Sequence, residues 1–234
     1  MTHLPFEIIY QDDVLFAINK PAWWVVHRGL ARDAKVIVDE LKDMTLDGKV
    51  YPLHRLDRQT SGVLLFARCR EVAQTMQKQF DSNALKKAYI ALVRGICPEK
   101  GLIDSPVPRT EGGPKVLAQT IYYRIASVDI LPRAVSLVKA LPITGRFHQI
   151  RRHMKHINHP VIGDANYGKG ALNRAFKEMY QLERMALHAV ALRFHHPVTQ
   201  QKTTVLARLP LDLSIPLEKI GFDMTPPIIN DDIF

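Results

Sequence analysis

Asp57 is flanked by Arg55 and Arg58 in a polar segment of the chain. Nearby positive charge favours the ionised form of a carboxylic acid, and an ionised carboxylate can act as a nucleophile or as a base. Gly62 and the Ser and Thr residues before it predict a tight loop. The apolar run Val63–Phe66 predicts a buried strand, so Asp57 is expected at the mouth of that strand. A surface Asp–Arg ion pair fits the same residues and stays an open alternative.

The segment Arg146–Ile157 places further cations on a predicted helix. At about 100° per residue, its apolar residues share one arc about 80° wide. Arg151 falls about 40° beyond that arc and is expected to lean inward, where an arginine needs an acidic partner such as Asp57. Arg152 lies about 140° from Phe147 and is expected to face solvent.

The distribution of charge limits the class of partner. The 234 residues carry a formal charge of +9. From Leu209 onward there is one lysine against five acids, a charge of −4. The rest of the chain holds 31 of the 32 basic and 18 of the 23 acidic residues, a charge of +13. A basic body suggests a polyanion such as nucleic acid, although many basic proteins bind none.

The residue pattern does not support a metal site, a disulfide framework or a membrane segment. Cys69 and Cys97 lack the spacing of a zinc site, and two isolated cysteines fit a reducing cytoplasm. Histidines occur at 148, 153, 156 and 159, but no cysteine or acid with ligand spacing stands beside them. We therefore expect structural or phosphate-contacting histidines. The sequence contains no recognisable signal peptide and no apolar run of membrane-spanning length, so a cytoplasmic protein is expected.

Short elements account for most of the remaining chain. Glu7–Tyr10 and Val14–Asn19 predict a hairpin. Trp23 and Trp24 fit either a base-stacking platform or a buried core. The other predictions are helices over Ala34–Lys42 (with Asp33 as N-cap) and Glu71–Phe80, strands over Lys86–Gly95, Leu117–Ile125 and Ala134–Leu141, loops over 95–116 and Asn166–Arg184, and a last hairpin of Met185–Phe194 with Thr203–Leu209.

Three blocks of the sequence resemble those of the RluA-type pseudouridine synthase family. HRLDRQTSGVLLFA, which contains Asp57, is similar to the family's most specific block. KAYIALVRG, which contains Tyr89, and TGRFHQIRRH, which contains Arg151, are similar to the second and third blocks. From its residues alone, Tyr89 is a core tyrosine. An NKP block is also present, with a tryptophan where the family commonly has glycine, and the resemblance covers roughly residues 6–210.

The resemblance implies a fold of the α/β class, of α+β type. A single pseudouridine-synthase catalytic domain is expected over residues 1–210, with an acidic tail over residues 211–234 that packs on the domain or trails from it. The domain is expected to contain a mixed, mostly antiparallel, bent sheet with flanking helices, and no S4 RNA-binding domain. RNA would cross a basic cleft.

The resemblance also implies an activity, the isomerisation of uridine in RNA to pseudouridine without a cofactor or a metal. Asp57 would attack the sugar carbon or remove a sugar proton, Arg151 would pair with Asp57, and Tyr89 would lie against the target base. The expected substrate-binding residues are Arg55 in the vacated base stack, Leu187 beside the base, and Arg146 and Arg152.

The expected partner is tRNA, because the NKP start and the one-domain plan are most similar to the subgroup that modifies uridine 65 of tRNA. A monomer without an obligatory protein partner is expected. Alternatives are another tRNA or rRNA uridine, and an RNA-binding or RNA-folding protein on the same scaffold without catalysis. A nucleoside hydrolase also cleaves the glycosidic bond, but that chemistry usually needs a second carboxylate, and none stands in these blocks.

Overall fold

The computed structural model describes residues 4–28, 35–42, 48–223 and 233–234. The chain folds into two compact units. The first unit contains the chain up to Lys86 together with the return segment Ala189–Arg208. The second unit contains Lys87–His188 and the chain from Leu209 onward.

Twelve strands and five helices occur in the described residues. Among those residues, no helix has both the length and the apolar character needed to cross a membrane. The strands are β1 (Ile8–Gln11), β2 (Leu15–Lys20), β3 (Tyr51–Pro52), β4 (Ser61–Ala67), β5 (Lys86–Arg94), β6 (Lys100–Asp104), β7 (Val107–Pro108), β8 (Lys115–Val116), β9 (Gln119–Val128), β10 (Val135–Pro142), β11 (Leu187–His195) and β12 (Lys202–Leu206). The helices are α1 (Ile37–Glu40), α2 (Arg70–Asp81), α3 (Gln149–His156), α4 (Gly170–Tyr180) and α5 (Leu211–Ile220).

The first unit is built around β4, all seven residues of which are buried. β2 pairs with it in antiparallel register, and β1 pairs with β2 in the same way. Successive side chains of a strand point to opposite faces, and β4 has apolar cover on both. Leu65 packs in the cluster that contains Met76 of α2. Phe66 packs in the cluster that contains Ile37 of α1, so the predicted buried strand is confirmed.

The N-terminal strands agree with the sequence prediction, and the helix that follows is shorter than predicted. β1 and β2 form the expected hairpin. α1 has four residues and is preceded by Val36, while the predicted N-cap Asp33 lies outside the described residues. Trp24 is buried, and its ring meets that of Phe6 edge-to-face with centroids 5.7 Å apart. Trp23 is 43% exposed, so only one of the two tryptophans has the core role.

The second unit contains strands in the order β5-β10-β9-β6, with each neighbouring pair antiparallel. α3 packs on this sheet, where Ile150 and Met154 share an apolar cluster with Val138 and Ala140 of β10. β7 and β8 form a separate short ribbon. The expected mixed α/β fold with mostly antiparallel strands is therefore confirmed.

Two predictions of irregular structure are wrong. The stretch 95–116 contains β6 and the β7–β8 ribbon, because its many Gly and Pro residues mark the turns between short strands. The predicted loop Asn166–Arg184 contains α4, which buries Phe176. The sequence did not indicate this helix because cations interrupt the helical spacing of its apolar residues. The acidic tail, expected to pack on the domain or to trail from it, begins with α5, which buries Leu213 and Leu217 in spite of Pro216 within the helix.

α5 is held in the second unit by polar contacts as well as by apolar packing. Arg184, which is 1% exposed, places Nε 3.2 Å from Oδ2 of Asp212. Lys219 donates a hydrogen bond to the side chain of Gln181 near the other end of the helix. The predicted domain boundary at residue 210 stays a prediction.

Candidate functional site

Asp57 begins a tight turn directly before β4. The backbone N–H of Thr60 donates to the carbonyl of Asp57 over 3.0 Å, which closes a four-residue turn. Asp57 is half-buried, whereas Arg55 and Arg58 are exposed. The carboxylate is therefore carried by a loop at the start of a buried strand, as the sequence predicts.

The turn rests on the side chain of Lys20, which has no exposed surface. Its Nζ donates to the carbonyls of Trp24 (2.8 Å), Pro21 (2.9 Å) and Arg58 (3.4 Å). The N–H of Trp23 donates to the same Arg58 carbonyl over 2.7 Å. A buried ammonium is stable only when its protons are bonded, so Lys20 ties the NKP segment to the residue that follows Asp57.

Gly62 sets the start of β4 against β11. Its φ is +116°, and a Cβ built on it would lie 2.1 Å from the carbonyl oxygen of Ala189. Any side chain would clash with this backbone and would also be strained at that φ. The loop that carries Asp57 therefore ends at a position that only glycine can occupy.

Lys20→Met is expected to lower the free energy of unfolding by about 3 kcal/mol, because three carbonyls lose a charged donor. The Asp57 turn should loosen as a result, and turnover should fall more than RNA affinity. Chemical denaturation and a turnover assay measure the two effects. Lys78→Met, an exposed change on α2, is the matched control. Equal stability of the two variants would contradict the role given to Lys20.

The N-terminus of α3 is organised by the side chain of Gln149. Its Oε1 accepts hydrogen bonds from the hydroxyl of Thr144 (2.7 Å) and the N–H of Arg146 (3.0 Å). Its Nε2 donates to the hydroxyl of Thr120 over 3.0 Å. His148 has φ +53°, a left-handed conformation, so α3 begins at Gln149 and not at Arg146 as predicted. Arg146 lies before the helix, where its Nε donates to the carbonyl of Leu117 over 3.5 Å.

Arg151 is buried and makes a two-pronged contact with Asp164. Its Nε lies 2.8 Å from Asp164 Oδ2, and its Nη2 lies 2.9 Å from Asp164 Oδ1 and 2.8 Å from Asn166 Oδ1. Burial acts to raise the pKa of Asp164, but the hydrogen bonds and charge of Arg151 outweigh it and hold the pKa below its usual value. Arg151 therefore leans inward as predicted, and within its own unit its acidic partner is Asp164.

Tyr167 joins the two arginines of α3. The guanidinium carbons of Arg151 and Arg152 each lie 5.1 Å from the centroid of its ring, within the range of cation–π attraction. Its hydroxyl lies 3.1 Å from Nδ1 of His148, whose ring stacks on Phe147 with centroids 3.8 Å apart. The result is a compact group of two cations and three rings.

Arg152 differs from its prediction. It is half-buried, and its guanidinium also lies 5.8 Å from the ring of Phe147. Its Nε is buried and has no hydrogen-bond partner among the described residues. The predicted helix includes Phe147, and on that helix Arg152 would point away from Phe147 and into solvent. Phe147 instead precedes the helix, and the long side chain of Arg152 folds over it.

Tyr89 and Leu187 pack on the same apolar cluster of the second unit. Leu187 is 4% exposed, whereas Tyr89 is only partly buried.

Lys87 lies two residues before Tyr89, and the side chains of both residues therefore point to the same face of β5. Its Nζ donates to the carbonyl of Thr144 over 3.3 Å. Burial, with the nearby charge of Arg146, lowers the pKa of Lys87 to about 8.

Three histidines of this region, His148, His153 and His159, make side-chain hydrogen bonds to other protein atoms. Nε2 of His153 donates to the carbonyl of Ser105 over 2.9 Å, and burial lowers the pKa of this ring. Nδ1 of His159 donates to the carbonyl of Arg94 over 2.8 Å. Within the described ranges, no three side chains of metal-ligand type converge.

The structure thus brings together some of the predicted site residues. Arg151 and Arg152 share the ring of Tyr167, and Tyr89 and Leu187 share one cluster. The pairing of Asp57 with Arg151 stays a prediction. Sequence reasoning missed Lys20, Lys87, Asp164 and Tyr167 as contributors. Lys20 and Lys87 stand inside the blocks that carry the family resemblance, and Asp164 and Tyr167 follow the third block.

A model of the RNA pseudouridylate synthase family matches residues 14–156, more than half of the chain. The chain belongs to this family. As an RNA pseudouridine synthase of the RluA type, it is an isomerase that acts on uridine in RNA. The RNA-substrate prediction is confirmed at this level.

Curated relatives and solved structures agree with this assignment. The synthase is 40% identical to "tRNA pseudouridine synthase C" of Haemophilus ducreyi, over 95% of this chain and 98% of the relative. It is 41% identical to the protein of the same name from Pasteurella multocida, over 87% and 91%. The structure of human RNA pseudouridylate synthase domain containing 4 superposes with a TM-score of 0.74 at 26% identity, covering 93% of this chain and 94% of that one.

Proposed function

We propose that this synthase converts one uridine of tRNA, uridine 65 on the acceptor-stem side of the T-arm, to pseudouridine. The observation that carries the proposal is the 40% identity to a tRNA pseudouridine synthase over nearly the full length of both chains. The charge of +13 on residues 1–208 supports a polyanionic substrate. A monomer acting in the cytoplasm, without an obligatory protein partner, is part of the proposal.

Asp57 is proposed to start the reaction. The N1–C1′ bond of the uridine breaks, and Asp57 either bonds to C1′ or removes a sugar proton. The free uracil turns over, and C5 bonds to C1′ while the bond between C1′ and Asp57 breaks or, in the second route, while Asp57 returns the proton to the sugar. The proton on C5 is then lost while N1 gains one. The product is an isomer of the substrate, so no oxidant and no activated group is consumed.

Arg151 and Tyr89 are proposed to hold the reacting groups. Arg151 would orient the carboxylate of Asp57, and its own orientation is set by Asp164 and Asn166. Tyr89 would lie against the uracil, with Leu187 beside it. Both side chains stand on one apolar cluster, which suits a base released from its sugar.

The target base must leave its stack before it can react, at a cost of a few kcal/mol. Arg55, exposed two residues before Asp57, is proposed to fill the vacated place. Arg146 and Arg152 are proposed to contact the RNA. Arg152 is half-buried, so part of its side chain remains accessible to RNA, which supports that role.

The test is to map pseudouridine in the total RNA of cells with and without the protein, and in unmodified tRNA transcripts incubated with the pure protein. We expect one pseudouridine, at uridine 65 of tRNA, and no free uracil. A signal confined to another tRNA position or to rRNA would overturn the substrate assignment. Release of uracil would indicate a hydrolase instead.

A further inference from the structure

A groove in the second unit is lined by cations from three different elements. Arg94 ends β5, Arg133 stands in the connection between β9 and β10, and Lys169 directly precedes α4. Leu172 and Ala175 of α4 add apolar surface, and no carboxylate is among the described residues that line the groove. Its volume of ≈ 470 Å³ falls within the range of about 300–1,000 Å³ typical of ligand sites.

No carboxylate of the described residues neutralises the three cations of the groove. Arg94 Nη2 donates to the backbone carbonyl of Asn158 over 3.1 Å, which fixes its guanidinium but leaves its charge uncompensated. Arg133 and Lys169 are exposed. In the part of the chain that the structure describes, none of the three forms an ion pair with a carboxylate. Three converging positive charges repel one another, and a bound anion removes that repulsion.

The walls of the groove are fixed by hydrogen bonds outside it. Asn173 joins the first turn of α4 to the neighbouring loop, through bonds of 3.0 Å with the N–H of Gly163 and the carbonyl of Asp164. Tyr180, at the end of the helix, donates to the carbonyl of Leu131 over 2.6 Å. The groove therefore exists before any ligand arrives.

We infer that this groove binds backbone phosphate of the substrate RNA outside the target nucleotide, an inference that rests on the proposed function. Arginine and lysine are the side chains that bind phosphate oxygens. Arg94 lies five residues beyond Tyr89 on β5, about 17 Å at the rise of a strand. That separation exceeds one nucleotide step, so the bound phosphate belongs to a flanking nucleotide. The groove adds affinity without reading sequence.

The test compares two double variants that each remove two positive charges. Arg133→Ala with Lys169→Ala removes two of the three cations of the groove, whereas Arg70→Ala with Lys78→Ala removes exposed charges from α2. The Kd of an unmodified tRNA transcript is measured over a salt series. For the groove variant we expect binding about tenfold or more weaker near 0.1 M salt, and a slope of log K against log salt reduced by about 1.4–1.8. The α2 variant should match the wild type.

Equal losses in the two variants would overturn the inference, because net charge alone would then account for binding. An unchanged slope in the groove variant would also overturn it. Phosphate ethylation of the RNA tests the location of the contact. Positions at which ethylation weakens RNA binding by the wild type but not by the groove variant should lie on flanking nucleotides. If the groove variant loses interference only at the target nucleotide, the location is contradicted. If the wild type forms no pseudouridine in tRNA, the proposed function fails, and the binding slopes still decide the groove.

Discussion

Asp57→Asn is expected to abolish pseudouridine formation and to change the affinity for RNA by less than about tenfold, or 1.4 kcal/mol. Asparagine has the shape of aspartate, and the Asp57 turn is closed by backbone atoms and by Lys20. The fold of the turn should therefore survive. An amide has no negative charge with which to attack C1′ or to accept a sugar proton. Single-turnover assays and equilibrium binding with the same tRNA transcript separate the two effects.

Asp13→Asn is the matched control, because Asp13 is an exposed aspartate of the same unit. We expect it to retain the wild-type rate and affinity. Residual turnover of Asp57→Asn above roughly 1% of the wild-type rate would rule out the direct role of this carboxylate, since loss of an essential catalytic group costs several powers of ten.

Arg151→Ala is expected to have the second large effect, a loss of about 3–5 kcal/mol in the free energy of unfolding together with a loss of turnover by orders of magnitude. The change leaves the carboxylate of Asp164, which is fully buried, without the cation that binds both of its oxygens. It also removes one of the cations over Tyr167. Chemical denaturation measures the first loss, and a turnover assay at a temperature where the variant is folded measures the second.

The stability loss should depend on pH. In the wild type the pKa of Asp164 is below its usual value, so its stabilising contribution is present at neutral pH and disappears as the pH falls through that pKa. Without Arg151, burial moves the pKa of Asp164 upward. The variant therefore protonates Asp164 at a higher pH than the wild type does, and the cost of its buried, unpaired charge disappears at that pH. The difference in free energy of unfolding between wild type and variant should therefore narrow from pH 7 toward pH 4.

Two further variants separate the effect of the charge of Arg151 from that of its geometry and from the effect of the neighbouring arginine. Arg151→Lys keeps the charge but not the planar pair of donors, so it should restore part of the stability and little of the turnover. Arg152→Ala should mainly weaken RNA binding and reduce the salt slope by about one contact. Equal, pH-independent losses in Arg151→Ala and Arg152→Ala would show that the partnership with Asp164 has been misassigned.

Local patterns were enough to predict most strands and the orientation of one key arginine. The run after Gly62 is apolar on both faces, and β4 is buried on both faces. The position of Arg151 relative to Ile150 and Met154 predicts an inward side chain, and it is 7% exposed. These features depend on the period of a strand or a helix, which the sequence contains directly.

Contacts between residues far apart in the chain could not be predicted in the same way. Lys20 reaches the carbonyl of Arg58, and Arg151 meets Asp164 across a turn, yet nothing in the spacing of either pair marks it as a contact. α4 was missed because its cations indicate a loop, although a helix can carry them on its exposed face. The start of α3 was misplaced because the left-handed conformation of His148 has no glycine to signal it.

The close approach of Gly62 to Ala189 has a consequence for the order in which the protein can become active. The two positions are 127 residues apart, so a ribosome adding about 5–20 residues per second exposes the Asp57 turn roughly 6–25 s before the strand that packs against it. In that interval the first unit lacks the whole segment Ala189–Arg208. A nascent or prematurely terminated chain therefore presents the aspartate without its support. Modification of RNA must wait until most of the chain has been made.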